Sequence, residues 1–252
     1  MIRVAAVADV HTGHDSAGTL APTMHDIGEH ADVLLVAGDL TRVGEPDEAR
    51  VLVGELADVS IPILAVLGNH DLHSSRQRDV VEVMTASGVR MLEGDAAVLD
   101  VGGVTLGVAG VKGFGGGFVG ASASEFGEPE MKAFVAHSRS RAEALERALH
   151  SIEADVRVAM VHYSPVEETL VGERPEIYPF LGSYLLAEAI DQAGADLVVH
   201  GHAHAGSERG ATPGGVPVRN VAVPVIGAAY RVYCLGGADE CVDQGSRVAR
   251  VP

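Results

Sequence analysis

Short apolar runs recur along this 252-residue chain, and their spacing predicts an α/β fold. They cover residues 4–8, 33–37, 61–67, 98–101, 104–109, 156–161, 197–199, 216–223 and 231–235. Near-continuous apolar runs are typical of strands covered on both faces. Segments 45–59, 75–87 and 134–153 instead repeat apolar residues at helical spacing. Strands and helices alternate in the first third, which is the pattern of parallel strands joined by crossover helices.

Glycine-rich turns separate the later strands and favour antiparallel pairing there. Gly102-Gly103 and Gly214-Gly215 are two such turns. Since neither a linker nor an internal repeat is apparent, we interpret residues 1–252 as one layered α/β domain with two packed sheets. The polar, Gly- and Asp-rich residues 236–252 are expected to be a loose tail.

An acidic surface narrows the range of partners. The chain has 35 Asp and Glu against 18 Lys and Arg, for a formal net charge of -17. Such a surface repels a polyphosphate backbone, and no basic run offsets it, so polymeric DNA or RNA is not an expected partner. Bound divalent ions would restore positive charge locally, which keeps a small phosphorylated substrate compatible.

The remaining composition predicts a cytoplasmic protein. The first apolar run is too short for a signal sequence and is interpreted as the first strand. No apolar stretch approaches the ~18 residues needed to span a membrane, so no membrane partner is expected. Cys234 and Cys241 have no metal-ligand spacing and are expected to be free thiols. The sequence makes no prediction about the oligomeric state.

Residue types that bind metals follow five of the apolar runs directly. The motifs are Asp9-Val10-His11, Gly38-Asp39, Gly68-Asn69-His70-Asp71, His162, and His200-Gly201-His202-Ala203-His204. Ligand sites in α/β sheets form at the carboxyl ends of strands, so these five ends are predicted to converge. Any one motif arises often by chance, and a lone histidine after a strand is usually a core residue. The ordered set is what favours a metal centre.

Mixed carboxylate, imidazole and amide ligands suit two divalent transition-metal ions, with Mn, Fe, Zn, Co and Ni all compatible. Asp39 is the natural bridge between them, because one carboxylate can bind two ions. The other predicted ligands are Asp9, His11 and His204 for one ion, and Asn69, His162 and His202 for the other. Two ions about 3.5–4 Å apart can share and activate a hydroxide and clamp the ester oxygens during attack.

From residue 9 to about residue 223 the chain resembles the calcineurin-like metallophosphoesterases, which carry these motifs in this order. The resemblance implies a four-layer αββα sandwich, with two mixed β-sheets flanked by helices, and the same division of ligands between two ions. It also implies that His70 is the catalytic histidine that donates a proton to the leaving oxygen. Asp71 is expected to orient His70.

Rival functions of other classes fit the sequence less well. A non-catalytic scaffold would not need a complete ligand set together with His70. A metallo-β-lactamase requires an aspartate that the segment around His202 and His204 lacks, and an amidohydrolase would show HxH where Asp9-Val10-His11 stands. A phosphoesterase is therefore the leading interpretation.

The substrate is less clearly indicated. The charge disfavours a nuclease, and Arg42 and Arg76 do not match the arginines expected of related protein phosphatases. A small phosphodiester, such as a cyclic nucleotide or a nucleotide-linked metabolite, is the first choice. A phosphomonoester hydrolysed at the same centre is the alternative.

Two segments are candidates for substrate recognition. In residues 111–118, Lys112 is placed to meet a phosphate oxygen and Phe114 or Phe118 to stack on a ring, while the glycines would let a ligand approach the backbone. Residues 163–183 are interpreted as an ordered lid. A plain turn and a plain hydrophobic cover are the alternatives. His14, His73 and His200 lie beside motifs and are secondary candidates for contacts around the site.

Overall fold

The computed structural model describes residues 1–236, which contain thirteen strands and eight α-helices. The strands are β1 (Ile2–Val7), β2 (Val33–Ala37), β3 (Ile63–Val66), β4 (Arg90–Met91), β5 (Asp95–Val101), β6 (Val104–Val111), β7 (Gly117–Phe118), β8 (Ala121–Ser122), β9 (Val156–Val161), β10 (Leu197–His200), β11 (Arg209–Ala211), β12 (Pro217–Asn220) and β13 (Arg231–Leu235). The helices are α1 (Ala21–Met24), α2 (Ile27–His30), α3 (Pro46–Glu55), α4 (Gln77–Ala86), α5 (Pro129–His150), α6 (Tyr178–Leu181), α7 (Tyr184–Ala193) and α8 (Val223–Ile226). Short 3₁₀ turns cover His70–Leu72, Glu168–Leu170 and Pro175–Ile177.

The strands form two main sheets, both of them mixed. The first sheet has the order β13-β1-β2-β3-β4, and only β13 is antiparallel to its neighbour. The second has the order β11-β12-β10-β9-β6-β5, with a parallel centre and antiparallel β5 and β11 at its edges. β7 and β8 form a separate hairpin. The carboxyl ends of β1, β2 and β3 therefore lie together in one sheet, and those of β9 and β10 lie together in the other.

The two sheets pack face to face, and helices cover their outer faces. Alternate residues of β1 show this division: Val4 and Ala6 enter the core between the sheets, whereas Ala5 and Val7 pack against the helices. α3 and α4 contribute to the outer core of the first sheet, and α5 and α7 to that of the second. The predicted four-layer αββα sandwich is confirmed.

The pairing of the later strands differs in part from the sequence prediction. The turns at Gly102-Gly103 and Gly214-Gly215 do join antiparallel pairs, β5 with β6 and β11 with β12. However, β6, β9, β10 and β12 pair in parallel. The long helix α5 and the helix α7 supply the crossovers, and α7 begins directly after residues 163–183, the segment interpreted from sequence as a lid.

Two expectations concern the C-terminal part of the chain. Cys234 in β13 is disulfide-bonded, so the expectation of a free thiol is wrong for this residue. Cys241 and the expected loose tail from residue 237 onward lie outside the described residues. Among the helices of residues 1–236, none has both the length and the apolar character needed to cross a lipid bilayer.

Candidate metal centre

The chain adopts an unusual backbone conformation at the ends of β1, β2 and β10. Four of the predicted ligands have positive φ: Asp9 (59°), His11 (43°), Asp39 (51°) and His202 (71°). Ser75 is the one other non-glycine residue within residues 1–236 that does so. Positive φ is sterically unfavourable for residues that have a side chain, so each of these residues carries roughly 1–3 kcal/mol of strain. Concentration of this strain at the predicted ligands indicates that the turns serve the site.

Backbone N–H groups of neighbouring loops hold two buried carboxylates. Oδ2 of Asp9 accepts a hydrogen bond from the backbone of His202 at 2.9 Å, which ties the end of β1 to the end of β10. Oδ1 of Asp39 accepts one from the backbone of His70 at 2.8 Å, which ties β2 to β3. Because both residues are at most 3% exposed, these bonds fix the carboxylates against the loops that carry other ligands.

A third carboxylate, that of Asp71, is completely buried and joins the loops after β2 and β3. Oδ1 accepts hydrogen bonds from the backbone and the hydroxyl of Thr41, and Oδ2 accepts them from the backbone of Leu40 and Gly68. Burial raises the pKa of Asp71 to about 6, although these donors favour the ionised form. The four donors satisfy a carboxylate that water cannot reach.

Two motif glycines permit the loops to approach the carboxylates closely. A Cβ added to Gly68 would lie 2.0 Å from Oδ1 and 2.2 Å from the backbone nitrogen of Asp39. A Cβ on Gly201 would lie 2.2 Å from Oδ2 of Asp9. At these two positions, beside Asn69 and His202, only glycine lets the loop come this close to the carboxylates.

The first group of candidate ligands is Asp9, His11, Asp39 and His204, whose donor atoms all lie within 4.8 Å of one another. Nε2 of His204 lies 2.9 Å from Oδ1 of Asp9 and 3.3 Å from Nε2 of His11. Nε2 of His11 is 3.7 Å from Oδ2 of Asp39. Two carboxylate oxygens and two imidazole nitrogens thus face a common point.

The second group contains Asp39, His162 and His202, again within 4.8 Å of one another. Nε2 of His162 lies 3.4 Å from Oδ1 of Asp39 and 2.8 Å from Oδ1 of Asn69. Asn69 thereby joins this group, and Asp39 belongs to both. The structure brings together all seven residues that the sequence predicts as ligands, in the predicted division.

Hydrogen bonds to main-chain carbonyls orient two of these imidazoles. Nδ1 of His162 lies 3.0 Å from the carbonyl oxygen of Ala37, and Nε2 of His202 lies 3.2 Å from that of Phe180. A carbonyl only accepts, so each of these nitrogens carries the proton. The opposite nitrogen of His202, Nδ1, keeps the lone pair that a metal needs, while Nε2 of His162 faces the side chain of Asn69.

The electrostatics of the pocket favour a cation. Burial lowers the pKa of His202 to about 3 and that of His11 below its usual value, so both are neutral and able to bind a metal at neutral pH. Burial alone would raise the pKa of Asp9, but the hydrogen bond with His204 and the nearby histidines hold it below its ordinary value. The buried carboxylates together with the neutral His11 and His202 form a donor set that fits divalent transition metals.

Residues 2–206 match the model of a known family, the calcineurin-like phosphoesterases. This chain belongs to that family. The family suggests a hydrolase acting on phosphate esters that uses divalent metal ions, and the Asp and His groups of this calcineurin-like phosphoesterase could bind such ions. No curated protein matches its sequence.

Solved structures share the fold of this calcineurin-like phosphoesterase at low sequence identity. The phosphopantetheinyl hydrolase of Mycobacterium tuberculosis superposes with a TM-score of 0.68 at 19% identity, covering 88% of this chain and 89% of the other. A protein of Thermus thermophilus has a TM-score of 0.59 at 18% identity, covering 92% and 93%. At this identity the likeness supports the αββα fold alone.

His70 lies beside both groups, but its orienting partner is not the one expected from sequence. Nδ1 of His70 lies 2.8 Å from the carbonyl oxygen of Arg42, and Nε2 faces Oδ2 of Asp39 at 4.0 Å. Both carboxylate oxygens of Asp71 instead accept hydrogen bonds from backbone and hydroxyl donors. The expectation that Asp71 orients His70 directly is therefore corrected: a main-chain carbonyl does so, and Asp71 holds the loop.

In the structure, Lys112 and Phe114 pack against aromatic side chains, and the substrate contacts expected of them stay a prediction. Lys112 is only 8% exposed, and its ammonium lies 5.3 Å from the Phe114 ring and 4.9 Å from the Tyr163 ring. Phe114 packs on Phe134 and Tyr163. The glycine that follows Phe114 serves packing too, since a Cβ on Gly115 would lie 2.5 Å from the carbonyl oxygen of Pro179.

Some residues that shape the site carry no recognisable sequence signal. The Arg42 and Phe180 carbonyls act through the main chain, where any residue type would serve, and Thr41 is an ordinary hydroxyl. Of the secondary histidines, His200 is fully buried and lies 2.8 Å from the Thr169 hydroxyl, so it cannot touch substrate. His14 and His73 are exposed.

Gly68→Ala tests whether close approach of the loops builds the site. The new methyl group must displace Asp39, so we expect a loss of metal affinity and a decrease of ~1–3 kcal/mol in the free energy of unfolding. Metal analysis after dialysis and urea unfolding measure both. Gly54→Ala is the control, because Gly54 is exposed in α3 with no neighbour in Cβ contact, and a helical alanine should be neutral or stabilising. Equal behaviour of the two variants would contradict this account.

Asp71→Asn tests the loop anchor. The amide group would place an N–H donor against donors of Leu40, Thr41 or Gly68, so we expect a decrease of ~1–3 kcal/mol or more in the free energy of unfolding. Urea denaturation measures it, and the exposed Asp58→Asn, expected within ~0.5 kcal/mol of wild type, is the control. A wild-type unfolding midpoint for Asp71→Asn would show that the anchor contributes nothing.

Proposed function

We propose that this protein hydrolyses a small phosphodiester at a centre of two divalent transition-metal ions. The supporting observation is the place of Asp39, whose carboxylate belongs to both donor groups and faces His70. Asp9, His11, Asp39 and His204 would hold one ion, and Asp39, Asn69, His162 and His202 the other. When bound, such a pair supplies Lewis acidity and an activated water for attack at phosphorus.

His70 is proposed to protonate the leaving oxygen. The Arg42 carbonyl accepts the Nδ1 proton whether the ring is neutral or charged, so Nε2 is the nitrogen that gains and loses a proton. Nε2 faces the donor groups and lies 4.0 Å from Oδ2 of Asp39. A proton on Nε2 can therefore pass to an ester oxygen held beside the centre.

A small substrate agrees with the charge of the chain. A formal net charge of -17 disfavours a polyanionic nucleic acid, whereas one phosphate ester needs only a local cationic site. The M. tuberculosis phosphopantetheinyl hydrolase shares the fold and does not carry the choice of substrate. Turnover of aryl phosphodiesters, aryl phosphomonoesters and cyclic nucleotides with Mn²⁺ tests the proposal. Faster hydrolysis of monoesters would favour the phosphomonoesterase alternative.

Asp39→Asn tests the shared ligand. A neutral amide oxygen cannot bridge two cations, so we expect metal content to fall from about two ions per chain toward none. Activity should fall by more than the roughly 10–100-fold typical of an indirect metal contact. Elemental analysis after dialysis and initial rates measure these changes, with the exposed Asp58→Asn as the control. Full metal content together with full activity would rule out a bridging role.

His70→Ala separates proton transfer from metal binding. The variant should keep its metal but lose roughly 10²–10⁴-fold in turnover on esters with poor leaving groups, because no acid remains at Nε2. Nitrophenyl esters should lose much less, since that leaving group hardly needs a proton. His73→Ala, at the exposed residue directly after the same 3₁₀ turn, should match wild type. Equal losses on both kinds of ester would assign His70 to structure or metal binding instead.

A further inference from the structure

An exposed aromatic side chain borders the second donor group. Phe180 is 62% exposed, which is unusual for a residue type that folded chains normally bury. Its carbonyl oxygen lies 3.2 Å from Nε2 of His202, an imidazole of the second donor group. The main chain of Phe180 is therefore in direct contact with a candidate ligand, while its phenyl group is exposed.

The backbone around Phe180 is fixed although its ring is exposed. The carbonyl of Pro179 accepts a hydrogen bond from the backbone of Gly116 at 2.7 Å, and that of Leu181 accepts one from Ser164 at 3.0 Å. These bonds tie α6 to the glycine-rich loop after β6 and to the segment after β9. The backbone that carries the ring is thus held in place by hydrogen bonds, which lowers the entropic cost of a contact between the ring and a ligand.

The charge of this segment limits what the ring can contact. Residues 163–183 contain four glutamates and one arginine. One of them, Glu173, reaches the loop after His204 through a hydrogen bond from the backbone of Ala205 at 2.7 Å. A second phosphate or another anionic group would be repelled here, whereas a neutral planar ring would gain contact area without meeting an opposing charge.

We propose that Phe180 is a specificity-determining residue whose phenyl face holds a neutral planar ring, such as a nucleoside base, carried by the substrate. This proposal rests on the proposed function, and it narrows the substrate to phosphate esters of ring-bearing alcohols. The phosphate occupies the metal centre, and the ring lies on Phe180. Stacking of this kind strengthens binding by roughly 5- to 100-fold per base.

Kinetics with Phe180→Ala test the side chain alone, because the carbonyl that positions His202 remains. The substrates are the p-nitrophenyl ester of thymidine 5′-monophosphate and ethyl p-nitrophenyl phosphate, which share a leaving group and differ in the nucleoside. We expect a roughly 5- to 100-fold loss of kcat/KM on the thymidine ester, mainly through KM, and little change on the ethyl ester. Metal content should stay at the wild-type value.

Phe126→Ala is the matched control. Phe126 is also an exposed phenylalanine, at 88%, and lies between β8 and α5, where the neighbouring Glu125 pairs with Arg139 of α5. The same substitution there should leave both substrates unaffected. A matching loss on both esters in Phe180→Ala, or an equal change in Phe126→Ala, would overturn the proposal.

Fluorescence gives a readout that does not depend on turnover. The chain contains no tryptophan, so Phe180→Trp and the control Phe126→Trp each introduce a single tryptophan, whose emission can be excited apart from that of the tyrosines. Adenosine 5′-monophosphate should change the emission of Phe180→Trp at lower concentration than butyl phosphate or inorganic phosphate does, and should leave Phe126→Trp unchanged. Equal responses to adenosine 5′-monophosphate and butyl phosphate would overturn the proposal.

Together, the kinetics and the fluorescence titration show whether the role of Phe180 or the proposed function itself is wrong. If wild-type protein with Mn²⁺ hydrolyses the esters but neither arm detects a preference for the ring, the proposed function stands and the role of Phe180 falls. If no ester is hydrolysed, the proposed function falls, and the fluorescence titration still decides whether Phe180 meets a ring.

Discussion

The site depends on buried carboxylates that accept hydrogen bonds from loops other than their own. Asp71 joins the loop after β2 to that after β3, Asp39 accepts from the backbone of His70, and Asp9 accepts from that of His202. Each carboxylate would be costly to bury without its donors. The loops must therefore stay together, and this constraint places ligands from both sheets at one point.

The same constraint explains where the backbone is strained. Asp9, His11, Asp39 and His202 adopt positive φ in the loops that carry the candidate donor atoms. Such conformations persist only where surrounding contacts determine them, and here the carboxylate bonds and the glycine contacts do so. The backbone strain thus lowers the stability of the fold, while it keeps a set of metal donors preformed. Only a cation would balance the net negative charge of these donors.

Much of the fold and the donor set could be predicted from sequence, for a physical reason. A buried strand reads as an apolar run, and a polar residue directly after it must lie at the sheet edge, so Asp9, Asp39 and His162 were identifiable without coordinates. Helix α7 was not identified, although its buried residues Leu186, Ala187 and Ile190 repeat at helical spacing. The roles of Asp71, Lys112 and Phe180 depend on contacts between distant segments, which local patterns do not encode.

In the proposed centre, five strand ends together hold two metal ions. Anomalous X-ray diffraction from crystals grown with Mn²⁺ would locate these ions without reference to activity. We expect two peaks that share Asp39, one beside Asp9, His11 and His204 and the other beside Asn69, His162 and His202. A single peak, or peaks that do not touch Asp39, would rule out the shared centre.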